Sequence, residues 1–166
     1  RISELEEVKG EIENLLGATK IGVLYLDRDL CIRKFTNAMT DIVPFTQADI
    51  GRSVEFFSYE FTKPMVTSCK EVLQQHKDEE VRQEVQYEGK QYMMRILPHT
   101  SQNTNLRGVV VTFLDVTEKV LQKRDYLRLI EHANAPIFGI DSKGMINEWN
   151  RKSAEVVGYG KEEVMG

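Results

Sequence analysis

The stretch Gly108-Val109-Val110-Val111-Thr112-Phe113-Leu114-Asp115-Val116-Thr117-Glu118 joins the strongest strand signal in the chain to the start of a helix. Its branched and aromatic side chains fit a pleated, half-buried surface. Asp115 followed three residues later by Glu118 is the pattern of a capping box, which predicts a helix from there to about residue 133. Phe113, Val116, Val120, Leu127 and Ile130 keep a three-four phase across the junction, broken by Lys123. A strand that runs straight into a helix couples its sheet to whatever the helix leads to.

Working back from this junction, residues 80–87 and 91–98 read as two strands separated by Glu88-Gly89-Lys90, a hairpin turn with glycine where positive φ is easy. A second turn, Ser101-Gln102-Asn103-Thr104-Asn105, leads into the strand at 106–115. Residues 62–76 read as a helix. Thr62 is placed to cap it, Pro64 stands in its first turn, and Met65, Val66, Cys69, Val72 and Leu73 form one apolar stripe. Pro44 and Gly51 interrupt 37–61, which predicts short helical pieces there. Two apolar runs, 21–26 and 30–35, flank the polar turn Asp27-Arg28-Asp29 and read as strands. Two strands, a helical middle and three strands in meander describe an α+β unit: a five-stranded antiparallel sheet with helices on one face.

Residues 4–16 put Leu5, Val8, Ile12 and Leu15 at alternating spacings of three and four, a heptad seam about two repeats long. Either this helix pairs with another as a coiled coil, or it packs on its own domain. The pattern begins abruptly, as the tail of a longer helix would. The sheet unit is therefore flanked by N-terminal and C-terminal linker helices. The expected organisation is a helix at 1–17, a domain at 18–117, a linker helix at 118–133, and a further piece at 134–166.

The last piece repeats the first. A shift of 114 residues aligns 23–50 with 137–164 without a gap: Asp27 meets Asp141, Ile32 meets Ile146, Phe35 meets Trp149, Ile42-Val43 meets Val156-Val157, Phe45 meets Tyr159, and Asp49-Ile50 meets Glu163-Val164. The second copy stops after two strands and two short helices, which is too little apolar surface for stability alone. It is expected to be a boundary inside a longer protein, with 134–166 either poorly ordered or supported by a partner.

Composition narrows the function. Of 166 residues, 41% are hydrophobic and 29% charged, which suits a globular protein and excludes general disorder. The 26 acidic and 22 basic residues are scattered, giving a net charge of −4 and no field for phosphate backbones, so nucleic acid is not an expected partner. No run approaches the ~18 apolar residues of a membrane span, and the opening Arg1-Ile2-Ser3-Glu4-Leu5-Glu6-Glu7 is not a signal peptide. A cytoplasmic fragment is expected. Cys31 and Cys69 lack zinc-ligand or CxxC spacing and read as reduced, buried, small apolar residues. No GxSxG, Walker, HExxH or GxGxxG pattern occurs. His76, His99 and His132 stand at a helix end, a strand end and a linker with no nucleophile beside them, so no catalytic or metal site is expected.

At two places the residues resemble the PAS superfamily. Asp115-Val116-Thr117 is similar to the Asp-Ile-Thr tripeptide that closes a PAS core and starts its signalling helix. Residues 140–150, Ile-Asp-Ser-Lys-Gly-Met-Ile-Asn-Glu-Trp-Asn, with Gly158-Tyr159 and Glu162-Glu163-Val164-Met165-Gly166, resemble the opening third of such a domain. The first copy resembles a narrower group, the PAS domains of bacterial proteins that fuse chemotaxis-type methylesterase and methyltransferase domains to sensor modules. The runs behind this are 26–36, Asp49-Ile50-Gly51-Arg52, 92–98 and 108–117. None of that family's catalytic domains is present in this sequence.

The resemblance implies a sensory, signal-relay module that dimerises through its flanking helices and acts on other domains of the same chain, of histidine kinase or methyltransferase/methylesterase fusion type. Asp115, Thr117 and Glu118 would carry the relay. The alternative is a small-ligand or cofactor sensor, because PAS domains can hold haem, flavin or metabolites between helix and sheet. The candidate pocket positions are Leu24, Leu26, Phe35, Ile42, Phe57, Val66, Cys69, Met94, Ile96, Val110 and Thr112. A simple packed core needs the same residue types. Flavin-reactive relatives carry Asn-Cys-Arg-Phe-Leu-Gln where this chain has Gly51-Arg52-Ser53-Val54-Glu55-Phe56-Phe57, without a cysteine. Haem-binding relatives often place a histidine early in the long helix, where this chain has Lys63-Pro64-Met65-Val66. No cofactor is therefore expected.

Overall fold

Five strands pair in the order β2-β1-β5-β4-β3, all antiparallel. They are β1 (Gly22–Asp27), β2 (Ile32–Phe35), β3 (Val81–Tyr87), β4 (Lys90–Thr100) and β5 (Arg107–Asp115). The computed structural model describes residues 2–74, 79–100 and 107–166. His76, Leu106 and the turn expected at 101–105 lie outside the described residues. The helices are α1 (Ile2–Ala18), α2 (Asn37–Ile42), α3 (Thr62–Gln74) and α4 (Thr117–His132), with short 3-10 turns at Gln47–Asp49 and Val54–Phe56. The chain divides into two compact units, 1–117 and 118–166.

In the first unit the chain's longest strands fill the middle of the sheet. Glycine decides how closely β1 and β5 approach: a Cβ on Gly108 would collide with the Leu26 carbonyl oxygen. The β3–β4 hairpin closes through Glu88 and Gly89, at φ 47° and 74°, with Tyr87 paired to Lys90. Two left-handed residues in a two-residue loop match the twist of the strands. Helices α2 and α3 cover one face, and the core lies between them and the sheet. Leu24, Leu26, Met94, Ile96, Val109, Val111 and Phe113 meet Met39, Val54, Phe61, Met65, Cys69 and Val72 there. The α3 stripe is as its periodicity predicts: Met65, Cys69 and Val72 are buried, and Val66 and Leu73 pack at the margin. Thr62, however, is the first helical residue and does not cap the helix. Its hydroxyl accepts from the Tyr59 N–H at 3.1 Å. Cys31 is half-exposed, not buried; it pairs as an isolated bridge with Ser53.

The second unit holds α4, a hairpin of β6 (Phe138–Ile140) and β7 (Ile146–Trp149), α5 (Arg151–Val157) and α6 (Lys161–Val164). Several hydrogen bonds of its hairpin recur at positions 114 residues on from those of the first unit. Asp27 Oδ1 accepts from the N–H groups of Asp29 and Cys31, each at 2.9 Å. Asp141 Oδ1 accepts from Lys143 and Met145 at 2.8 and 2.9 Å. The turn residue before the second strand is left-handed in both, Leu30 at φ 59° and Gly144 at φ 81°. The register slips at Tyr25/Leu26 in one hairpin and at Gly139/Ile140 in the other, again 114 apart. Thr36 Oγ1 accepts from Val23 N–H as Asn150 Oδ1 does from Ile137 N–H, and Asp49 accepts from Thr46 N–H as Glu163 does from Gly160 N–H. One local program therefore folds both copies.

Asn150 is 1% exposed, and all its polar capacity is used. Its amide donates to the carbonyls of Ile130 and Ala135, and its oxygen accepts from the N–H groups of Ile137 and Ser153, each at 2.9 Å. These bonds tie the end of α4 to β6 and α5.

Candidate functional site

The strand-to-helix junction is held by a dense set of hydrogen bonds. Asp115 ends β5, opposite Tyr92 on β4. Its Oδ1 accepts from the Thr117 N–H at 3.0 Å and from the Thr117 hydroxyl at 2.6 Å. The same hydroxyl accepts from the Gln91 N–H at 2.9 Å, and the Val116 N–H donates to the Gln91 carbonyl at 2.9 Å. Thr117 thus fastens the first residue of α4 to both central strands. The two Thr117 donors hold the Asp115 carboxyl below its ordinary pKa, with Lys90 at 3.9 Å adding a smaller pull in the same direction.

Glu118 does not close the expected capping box. Its carboxylate points along the helix and accepts from the Gln122 side chain at 3.3 Å. The reason is the frame: the helix begins at Thr117, so Asp115 lies one place before the capping residue and reaches only the first helical N–H.

Nine of the eleven candidate pocket residues converge. Leu24, Leu26, Cys69, Met94 and Ile96 are buried in the core, and Phe35, Ile42, Phe57 and Val66 pack against it. Val110 and Thr112 do not join them. They alternate with Val109, Val111 and Phe113 and stand on the opposite face of β5, where Val110 pairs with Tyr25 and Leu97. Burial pushes the Cys69 thiol up to about 12, which leaves it protonated and unreactive. Eight aromatic rings, Phe35, Phe45, Phe57, Tyr59, Phe61, Tyr87, Tyr92 and Phe113, form a continuous set of ring contacts along this interior, of which the candidate pocket positions include Phe35 and Phe57.

His99, next to the last residue of β4, stands edge-on to Tyr25, with ring centroids 6.0 Å apart, and His132 ends α4. Among the described residues no group of three His, Cys, Asp or Glu is placed to hold a metal ion, and no helix is long and apolar enough to cross a membrane.

Comparison with known proteins agrees with this geometry. Residues 12–117 match the family described as PAS domain, and residues 124–166 match that described as PAS fold. The chain belongs to the PAS domain family. The PAS domain of an HTR-like protein from Haloarcula marismortui superposes with a TM-score of 0.52 at 18% identity, covering 69% of this chain and 97% of that one. A sensory box sensor histidine kinase from Vibrio cholerae gives 0.50 at 14% identity, covering 69% and 97%. Phytochrome E of Arabidopsis thaliana is 55% identical over 42 residues, which is 25% of this chain and 4% of that protein. The chain therefore spans only a small part of the curated relatives it matches.

Proposed function

We propose that this chain is a non-catalytic sensory module that acts in the cytoplasm, dimerises through its flanking helices and relays a conformational change to other domains of a larger signalling protein. The observation that carries this reading is Thr117, one side chain that bonds β4, the end of β5 and the start of α4 at once. A small shift between the central strands alters the geometry at the first turn of the helix, and helical rearrangement of this kind is an established switching route. The likeness to a sensor histidine kinase supports an output of that type. The resemblance of the first copy to chemotaxis methylesterase/methyltransferase fusion sensors supports the other. Signalling of the full-length protein with Asp115→Ala tests the proposal: output is lost while the first unit keeps its fold, and unchanged output overturns it.

The self-filled core favours relay over ligand sensing, because Leu24, Cys69, Met94 and Ile96 are fully buried against one another's neighbours and a ligand would have to displace them. Visible absorbance and native mass spectrometry of the purified chain check this, with a bound mass overturning it.

A further inference from the structure

We propose that the open groove between α1 and the β2–α2 junction binds a single-chain amphiphile, a hydrocarbon tail with an anionic head held at Lys9. The groove lies outside the filled core, so this site is independent of the relay reading above.

The helix turns an apolar stripe toward its own unit without closing on it. Leu5, Val8 and Ile12 line one side of a groove of about 480 Å³, and Tyr25, Phe35 and Ala38 line the other. No residue of α1 is buried, and Leu5, Val8 and Ile12 stay 72%, 52% and 52% exposed. Two apolar walls that face each other across open space are stabilised by an apolar filler, and a volume of this size lies in the range that holds small molecules. Only residues 19–21 join α1 to β1. The Thr19 N–H donates to the Leu15 carbonyl at 3.2 Å, its hydroxyl donates to the Leu16 carbonyl at 2.8 Å, and Lys20 is left-handed at φ 53°. A bonded turn this short fixes where α1 leaves the sheet, which favours a filler over collapse of the helix. From Leu5 to Leu16 the lining runs about 16 Å along the helix, enough for an extended chain of about ten carbons.

Charge selects the head group. Lys9, Glu13 and Lys34 are the charged residues of the lining. Glu13 and Lys34 face each other at 4.0 Å, whereas Lys9 forms no ion pair among the described residues. Glu4, Glu6, Glu7 and Glu11 do not line the groove. One uncompensated cation beside an apolar slot is complementary to a carboxylate on a hydrocarbon chain. Phe35 joins the site to the interior: it lines the groove, and its ring lies 5.6 Å from that of Phe45.

The test titrates decanoate, below its micellar concentration, into the whole chain by calorimetry. A single decanoate per chain is expected. Val8→Asp and Ile12→Asp each put a charge on the exposed wall without touching the core, and each is expected to weaken binding at least about tenfold with the circular dichroism unchanged. Lys9→Gln is expected to weaken it about threefold, the worth of one exposed ion pair, and decyltrimethylammonium is expected to bind more weakly than decanoate. Absence of saturable binding overturns the site, whether α1 closes over the groove or a second copy fills it, and leaves the relay standing. Binding that is indifferent to both aspartates overturns it as well, since the ligand then sits elsewhere, and tighter binding of the ammonium overturns the anionic head.

Discussion

Thr117 and Asp115 set what a single side chain contributes here. Thr117→Val removes the hydroxyl, leaves the Gln91 N–H without its acceptor, and is expected to cost about 1–3 kcal/mol. Thr117→Ser keeps the bonds and most of that stability, and urea unfolding of the two variants checks the difference. Thr117 hydrogen bonding lowers the Asp115 pKa, so its stabilisation is complete above the ordinary aspartate value near pH 4 and is lost as pH falls through the lower folded-state value. The stability gap between the natural chain and Asp115→Ala is therefore expected to close in acid, and a gap that widens below about pH 4 contradicts the assignment. Glu80 behaves likewise further down the scale: the Arg95 and Arg82 guanidinium groups hold it down to about 2. Asp115 and Thr117 are legible in the sequence because their roles are local and carried by a tripeptide. Gln91 is not, because it reaches the junction only through the pairing of β4 with β5.

The elements themselves are legible from periodicity, and β5 shows where periodicity stops. Val109-Val110-Val111 is apolar at every position, so nothing in the run says which residues face the core. A slip of one residue exchanges the two faces of a strand, and the expected pocket takes Val110 and Thr112 in place of Val109, Val111 and Phe113. Only pairing resolves it: Val111 sits between Leu24 and Ile96, both fully buried, whereas Val110 sits between Tyr25 and Leu97. The same substitution at adjacent positions separates the faces. Val111→Thr buries a hydroxyl among apolar side chains and is expected to cost about 1–3 kcal/mol, whereas Val110→Thr is expected to cost at most about 0.5 kcal/mol. Equal losses in chemical denaturation would mean that the strand faces the other way. The short glycine-closed β3–β4 turn is readable because its chemistry is local; the start of α4 is displaced by one or two residues from its expected place because side-chain capping patterns do not fix the exact first turn.

At the scale of the whole molecule, the repeat of 114 residues is visible in the sequence because the turn and bulge residues of both copies obey the same local rules. Local rules do not supply a core, however. The first unit buries a continuous cluster from five strands and two helices, whereas in the second only Trp149, Asn150 and Ser153 are buried. Phe138, Ile140 and Val156 of that second unit remain 62%, 61% and 64% exposed, on a two-stranded sheet. The Asn150 network opposes this deficit with four bonds of about 1 kcal/mol each. Ordering the backbone costs about 1–2 kcal/mol per residue, so over a unit of this size those bonds cannot replace the missing apolar burial. Stability should therefore divide unevenly along the chain. In native-state hydrogen exchange of the whole chain, the β6–β7 amides are expected to exchange at least about a hundredfold faster than those of β5, a gap of about 2.8 kcal/mol. Equal protection in the two sheets would mean that 118–166 draws on apolar burial beyond its own hairpin, and the division of the chain into a stable sensor core and a marginal second copy would fall with it.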